Sequence, residues 1–290
     1  MPTKIEKDAV SGQDTTGHEW DGIKELNTPL PRWWLYTFYA CILFAVVWSA
    51  LYPSIPGIHG YFHGILHYSQ RQELDKEVRA AAAEHADIRQ RIASSSLDQV
   101  AADPEMSEYA VAGGKAIFAN NCAVCHGAAG SGRPNFPVLA DDKWLWGGKR
   151  ADIYQTIQHG IRSLDDPTTR MSQMPRFGAD KILNEQQIAD VAAHVRTLAR
   201  LDPPSDASKR GNAIFSEQCA VCHGQNGQGN RQFGAPSLTD GIWLYAGTKD
   251  AIEQQVTLPK QGVMPAWSKR LDDVEIKMVS LYVHGLGGGE

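Results

Sequence analysis

Twice along these 290 residues two cysteines stand three apart with a histidine directly after the second: Cys122-Ala-Val-Cys125-His126 and Cys219-Ala-Val-Cys222-His223. Each sits inside a longer repeat. Gly114 opens GKAIFANNCAVCHGAAGSG and Gly211 opens GNAIFSEQCAVCHGQNGQG. Further on, Leu139-x-Asp141-x-x-Trp144-Leu145-Trp146 returns as Leu238-x-Asp240-x-x-Trp243-Leu244-Tyr245. Each copy then has a helical stretch, a Met-Pro pair and a closing amphipathic helix, at 185–198 and at 273–286. Two copies are too few for a solenoid, which needs three or more. The pattern predicts an all-α soluble part made of two tandem copies of one small domain, over 105–201 and 206–290. Asp202-Pro203-Pro204-Ser205 marks the boundary, since consecutive prolines cannot continue a helix.

The CxxCH spacing selects a chemistry. Two thiols one helical turn apart reach the two vinyl groups of one haem, and the following histidine turns its imidazole onto the iron. A zinc site wants four ligands, and neither copy has another cysteine to complete one. A thioredoxin-like dithiol would follow a strand in a βαβ pattern, which is lacking. Two covalently bound haem c groups are therefore expected, on Cys122, Cys125 and His126, and on Cys219, Cys222 and His223.

Met174-Pro175 and Met264-Pro265 occupy matching places, between the Trp segment and the last helix of each copy. A thioether opposite histidine makes a six-coordinate, low-spin iron with a raised potential. Met174 and Met264 are thus the candidate sixth ligands, with Met171 and Met278 as their rivals. Six-coordinate iron has no open position, so no catalysis of its own is expected and electron transfer is. Pro137 and Pro236 are placed to orient the histidines through a backbone carbonyl. Arg133, Arg231, Trp144 and Trp243 are weaker candidates for contacts to haem propionates.

Trp33 to Tyr52 reads WWLYTFYACILFAVVWSALY, twenty residues without a charge. As a helix it rises about 30 Å, the thickness of a bilayer's hydrocarbon core. Aromatic residues crowd both ends, as they do at headgroup level. Residues 1–32 are polar and lack the apolar stretch of a cleavable signal, so 33–52 is read as an uncleaved anchor. Cys41 inside it is read as a small buried apolar residue. Residues 53–104 form an interfacial segment, where Gly57, Gly60 and Gly64 weaken any helix aligning His59, His63 and His67, and then a solvent-facing helical linker over 72–100. With net charge −5 and no cluster of Lys and Arg, a nucleic-acid partner is excluded. Five cysteines, four of them in the two motifs, are too few for a disulfide framework.

The segment His18-Glu-Trp-Asp-Gly-Ile-Lys-Glu-Leu-Asn-Thr-Pro-Leu-Pro-Arg-Trp-Trp, running into one anchor, resembles the start of the dihaem subunit III (CcoP/FixP type) of cbb3-type cytochrome c oxidases. The Tyr-Pro-x-Ile-Pro-Gly stretch at 52–57 and the two domains with WLWGG-like segments fit the same family, over nearly the whole chain. The resemblance implies one transmembrane helix followed by two class I cytochrome c domains, with His126–Met174 and His223–Met264 as axial pairs. It also implies partners: a catalytic subunit with haem b and a haem–copper centre, and a monohaem cytochrome c subunit II. A c-type cytochrome or a bc1-type complex would be the donor. Oxygen reduction and proton pumping fall to other subunits. Haem c attachment in c-type cytochromes takes place outside the bacterial cytoplasm. The haem domains are therefore expected in the periplasm and the N-terminus in the cytoplasm, across the inner membrane. A tethered carrier for another respiratory complex, and a dihaem peroxidase, are the alternatives.

Overall fold

A computed structural model describes residues 4–290, which divide into two units at residues 84 and 85.

The first unit begins with a hairpin of β1 (Thr15–Trp20) and β2 (Ile23–Leu26), turned at Asp21-Gly22 with both residues at positive φ. Asp and Gly tolerate the left-handed region that such tight turns require. Helix α1 (Arg32–Leu51) follows, directly after Pro31. None of its side chains is buried by the chain itself, so its apolar surface needs another solvent. Its length and apolar composition suit a membrane span, one residue out of register with the expected 33–52. Cys41 is exposed on this helix, not buried as read from the sequence. The glycines at 57 and 60 pair in a two-residue hairpin of β3 (Pro56–Gly57) and β4 (Gly60–Tyr61). Two small hairpins thus supplement the expected all-helical fold. Helix α2 (Gln70–Glu84) ends the unit and buries no residue.

The predicted linker helix does not continue. It breaks at His85, and α3 (Ala86–Ser94) and α4 (Leu97–Ala102) join the second unit's core, burying Ile92 and Val100 completely. Ser96 and Gln99 start α4 with a reciprocal capping box. The second compact unit therefore starts at His85, ahead of the first repeat.

Two helix pairs organise the rest. The elements are α5 (Pro104–Asn121), α6 (Ala123–His126), α7 (Arg150–His159), α8 (Glu185–Leu198), α9 (Asp206–Gln218), α10 (Ala220–His223), α11 (Lys249–Thr257) and α12 (Asp273–His284). Both closing helices, α8 and α12, begin with capping boxes, Asn184 with Gln187 and Asp272 with Glu275. In each pair a glycine lets the helices touch backbone to backbone. A Cβ on Gly114 of α5 would lie 2.2 Å from the carbonyl oxygen of Met278, and one on Gly211 of α9 would lie 1.9 Å from that of Asp190. One turn further on, Phe118 packs on Tyr282 and Phe215 on His194, with ring centroids 5.4 and 5.2 Å apart.

The pairing is not the tandem one read from the sequence. Helix α5 packs on α12, which also packs on α7, whereas α8 packs on α9 and α11. One core joins Phe118, Ile153 and Ile157 to Ile276, Val279 and Val283. Another joins Phe177, Ile188, Val191 and Val195 to Phe215, Ile252 and Val256. The boundaries 105–201 and 206–290 are thus units of sequence and not of packing. Residues from about 174 to 257 form one continuous inner half, and the segments before and after them close together into an outer half.

Candidate haem sites

Both motifs are built alike. Helix α5 ends at Asn121, and the N–H groups of Cys125 and His126 bond back to the Cys122 carbonyl at 3.1 and 2.9 Å. Cys222 and His223 do the same to Cys219 at 3.1 and 3.0 Å. Each pair of thiols is therefore one helical turn apart on one side of the chain. Gly127 and Gly224 stop the short helices at φ +77° and +79°, a positive φ that glycine adopts without a Cβ penalty. The loops then fold back, with Gly132 N–H donating to the His126 carbonyl and Gly229 N–H to that of His223, each at 2.7 Å.

The expected role of the two prolines is visible. His126 Nδ1 lies 3.1 Å from the Pro137 carbonyl and His223 Nδ1 lies 3.0 Å from that of Pro236. A carbonyl only accepts, so each Nδ1 carries the proton and each Nε2 keeps its lone pair, the form that ligates a metal. Burial pushes both imidazoles below their usual pKa, against the opposing effect of the carbonyl bond. Burial also pushes the Cys122 and Cys219 thiols up to about 11, with the neighbouring cysteine adding to the rise. Paired thiols and a neutral, oriented imidazole are the donor set that haem c requires, and the residues fit it twice.

Beside the motifs lies a cavity of about 820 Å3. Its walls come from both repeats, within 131–145 and 228–245, including Arg133, Asn135 and Trp144 on one side and Asn230, Arg231 and Trp243 on the other. Both repeats thus line one common space. Of the four weaker candidates, Arg231 is held by Glu290 through two bonds of 2.7 and 2.5 Å, and Trp144 Nε1 donates to the Gly288 carbonyl at 2.6 Å.

The structure brings the candidate methionines to the motifs in crossed fashion. Met264 packs, alongside Cys122, Ala123 and Trp144, against the core of Phe118 and Val279, and Met174 packs, alongside Leu238 and Trp243, against the core that contains Cys219. The pairing of His126 with Met174 and of His223 with Met264 is therefore not the one the fold assembles. Of the rival residues, Met171 is exposed and Met278 is buried inside α12. Sequence reasoning missed Arg162 and Gln261. Arg162 donates to the carbonyls of Gly262 and Ser172 at 2.7 and 3.0 Å, and Gln261 Nε2 to that of Met174 at 3.0 Å. They tie the two methionine loops together, and no repeated motif marks them.

Comparison with known proteins agrees with two haem-binding repeats. Residues 12–59 match the model of the N-terminal domain of cytochrome oxidase cbb3, FixP. Residues 111–199 match cytochrome c, and 206–283 match cytochrome c oxidase, cbb3-type, subunit III. Two such matches, one on each CxxCH half, mean two covalently bound haem c groups. The chain is 49% identical to the cbb3-type cytochrome c oxidase subunit CcoP of Azospirillum brasilense, over 98% of this chain and 99% of that one. It is 44% identical to CcoP of Cereibacter sphaeroides over the whole of both chains, and 46% to FixP of Rhizobium meliloti over 98% and 97%. Identity at this level along the full length, with the anchor and both motifs in place, makes the chain a member of the CcoP/FixP family of cbb3-type cytochrome c oxidase subunits.

Proposed function

We propose that this chain is the electron-transfer subunit of a membrane-bound cbb3-type oxidase, taking electrons from a c-type cytochrome or a bc1-type complex. It passes them to a catalytic subunit with haem b and a haem–copper centre, beside a monohaem subunit II. The observation that carries the reading is two matched sets of Cys, Cys and carbonyl-oriented His, whose orienting prolines, Pro137 and Pro236, line one common cavity. Haem iron supplies one-electron chemistry when bound. The chain's own residues hold, orient and enclose it. Cys122, Cys125, Cys219 and Cys222 would fix the two groups, and His126 and His223 would face them with Nε2. Met174 and Met264 would supply the remaining ligands, and with those places taken small ligands would be kept out. The Pro137 and Pro236 carbonyls hold each ring in one tautomer.

The anchor α1 raises the local concentration of the carrier at its acceptor. The haem halves lie in the periplasm and the N-terminus in the cytoplasm, across the bacterial inner membrane. Purification from membranes through a tag on this chain tests the proposal. Haem c, haem b and copper are expected to travel with it in visible spectra and metal analysis. A preparation holding two haem c groups but neither haem b nor copper would overturn the oxidase reading.

A further inference from the structure

One guanidinium stands between the two methionine loops. Arg162 Nε donates to the carbonyl of Gly262 at 2.7 Å, and Nη1 donates to that of Ser172 at 3.0 Å. Gly262 lies two residues before Met264 and Ser172 two before Met174, so one fork grips each loop at the same offset from its methionine. The backbone is bent to put it there. Arg162 has φ +52°, a left-handed conformation that is costly for a residue with a Cβ. Its N–H donates to the Arg170 carbonyl at 2.9 Å, and the residue before it exchanges two bonds with Met264. Strain of this kind persists where the surroundings over-determine it, and it gathers at functional sites.

The cation has no carboxylate to cancel it. Among the described residues Arg162 makes no ion pair, and the group that favours its charge electrostatically is the phenol of Tyr245. That phenol also accepts the Gly262 N–H at 3.2 Å, which closes the same site. Of the acids in the loop of Arg162, Asp166 is engaged with His159 at 2.9 Å and with Thr168 at 2.6 Å, and Asp165 stands exposed. Arg170, the other arginine of this loop, does have an acid, Asp152, at 3.8 Å. A half-buried cation satisfied by neutral oxygens keeps most of its field, since no fixed anion opposes it and salt screens it less than a surface charge.

We propose that Arg162 is a shared electrostatic control on both haem centres: its charge, held beside the two methionine loops, favours the reduced form of each iron and raises both reduction potentials. This rests on the dihaem reading above. On reduction one electron enters a ferric centre and lowers its charge by one unit, and no bond in the chain is made or broken. A fixed cation nearby opposes the ferric form more than the ferrous one, so the electron is held more tightly. Methionine ligation raises the potential from within the coordination sphere. Arg162 adds to that from outside it, and one side chain serves two centres.

Spectroelectrochemical titration of the full-length, detergent-solubilised holoprotein tests the assignment, with Arg162→Gln, Arg162→Met and Arg162→Lys beside the wild type. In the two neutral variants the reduction equilibrium of each haem is expected to fall about tenfold, which for one electron is about 59 mV. Arg162→Lys keeps the charge and breaks the fork, and is expected to hold both potentials within about a third of that shift. The weak red absorption band of a methionine-bound ferric haem reads ligation separately in every variant. Unchanged potentials in the neutral variants, an equal fall in Arg162→Lys, or a fall at one haem alone overturns the proposal and leaves the dihaem reading intact. Loss of the methionine band, or failure of both neutral variants to hold haem, overturns it too and assigns Arg162 to the architecture of the loops. A wild-type chain that titrates as fewer than two haem c groups overturns the dihaem reading and the proposal together.

Discussion

Ile161 and Met264 hold each other by two backbone hydrogen bonds, the N–H of each donating to the carbonyl of the other at 2.9 and 3.0 Å. The first residue leaves α7 and the second leads into the last helix, so this short bridge is where the chain's path crosses between halves. Arg162 braces it from one side, with its guanidinium pKa pulled below the usual value by burial.

Gly160 stands at the foot of the bridge with φ +67°, and a Cβ there would be 2.3 Å from the Met264 carbonyl oxygen. Gly160→Ala combines left-handed strain with a contact against rigid backbone. It is expected to cost about 2 kcal/mol and to loosen the Met264 loop first. Thermal unfolding, together with hydrogen exchange at the Met264 amide, checks both parts.

Asp190 and Arg210 are expected to contribute about 2 kcal/mol, because the carboxylate is buried and the pair is bidentate. The bonds from Arg210 hold Asp190 below the usual carboxylate range, so its contribution is complete above about pH 4 and is lost as pH falls through the lowered value. Urea midpoints of wild type and Asp190→Asn are expected to differ at pH 7 and to converge in acid.

Gly113→Arg would place on α5 the cation that α9 carries, under Met278 and beside Val274. With no carboxylate on α12 at that position, overpacking and a buried charge together are expected to destabilise by about 2 kcal/mol or more. Adding Met278→Asp is expected to recover part of the loss in a double-mutant cycle.

The Arg231–Glu290 pair is also short, but its carboxylate is partly exposed where that of Asp190 is buried. Exposed ion pairs contribute about 0–1 kcal/mol and are screened by salt. Arg231→Ala is expected to shift the melting temperature by no more than a few degrees, and by less still in high salt.

Much of this molecule is legible in its sequence because the chemistry is local. The CxxCH turns, the apolar length of α1 and the start of α8 at Glu185 follow from spacing and caps. Pro137 and Pro236 could be placed because each stands two residues before the Leu of its Leu-x-Asp segment. The nesting was hidden by that same repeat. Helices α8 and α12 share Ile188, Val191 and Val195 with Ile276, Val279 and Val283, so either suits a glycine-notched partner on apolar pattern alone. The distinction lies in Asp190 against Met278 and Arg210 against Gly113, and a pattern of apolar positions does not see it. The break at His85 was equally hidden: the Ala- and Glu-rich run continues across it, and only the core tells that Ile88 and Ile92 belong to a different body from Leu74 and Val78.

A nested path also sets an order of completion. As the polypeptide emerges from its N-terminus, the motif at Cys122 appears first, yet the half that surrounds it stays open until the final helix arrives. The later motif at Cys219 gains its last helix as soon as α11 is out. The half built around the first motif is therefore the last to be enclosed, and a ribosome that stops within the closing thirty or so residues leaves it open while the half around the later motif is whole.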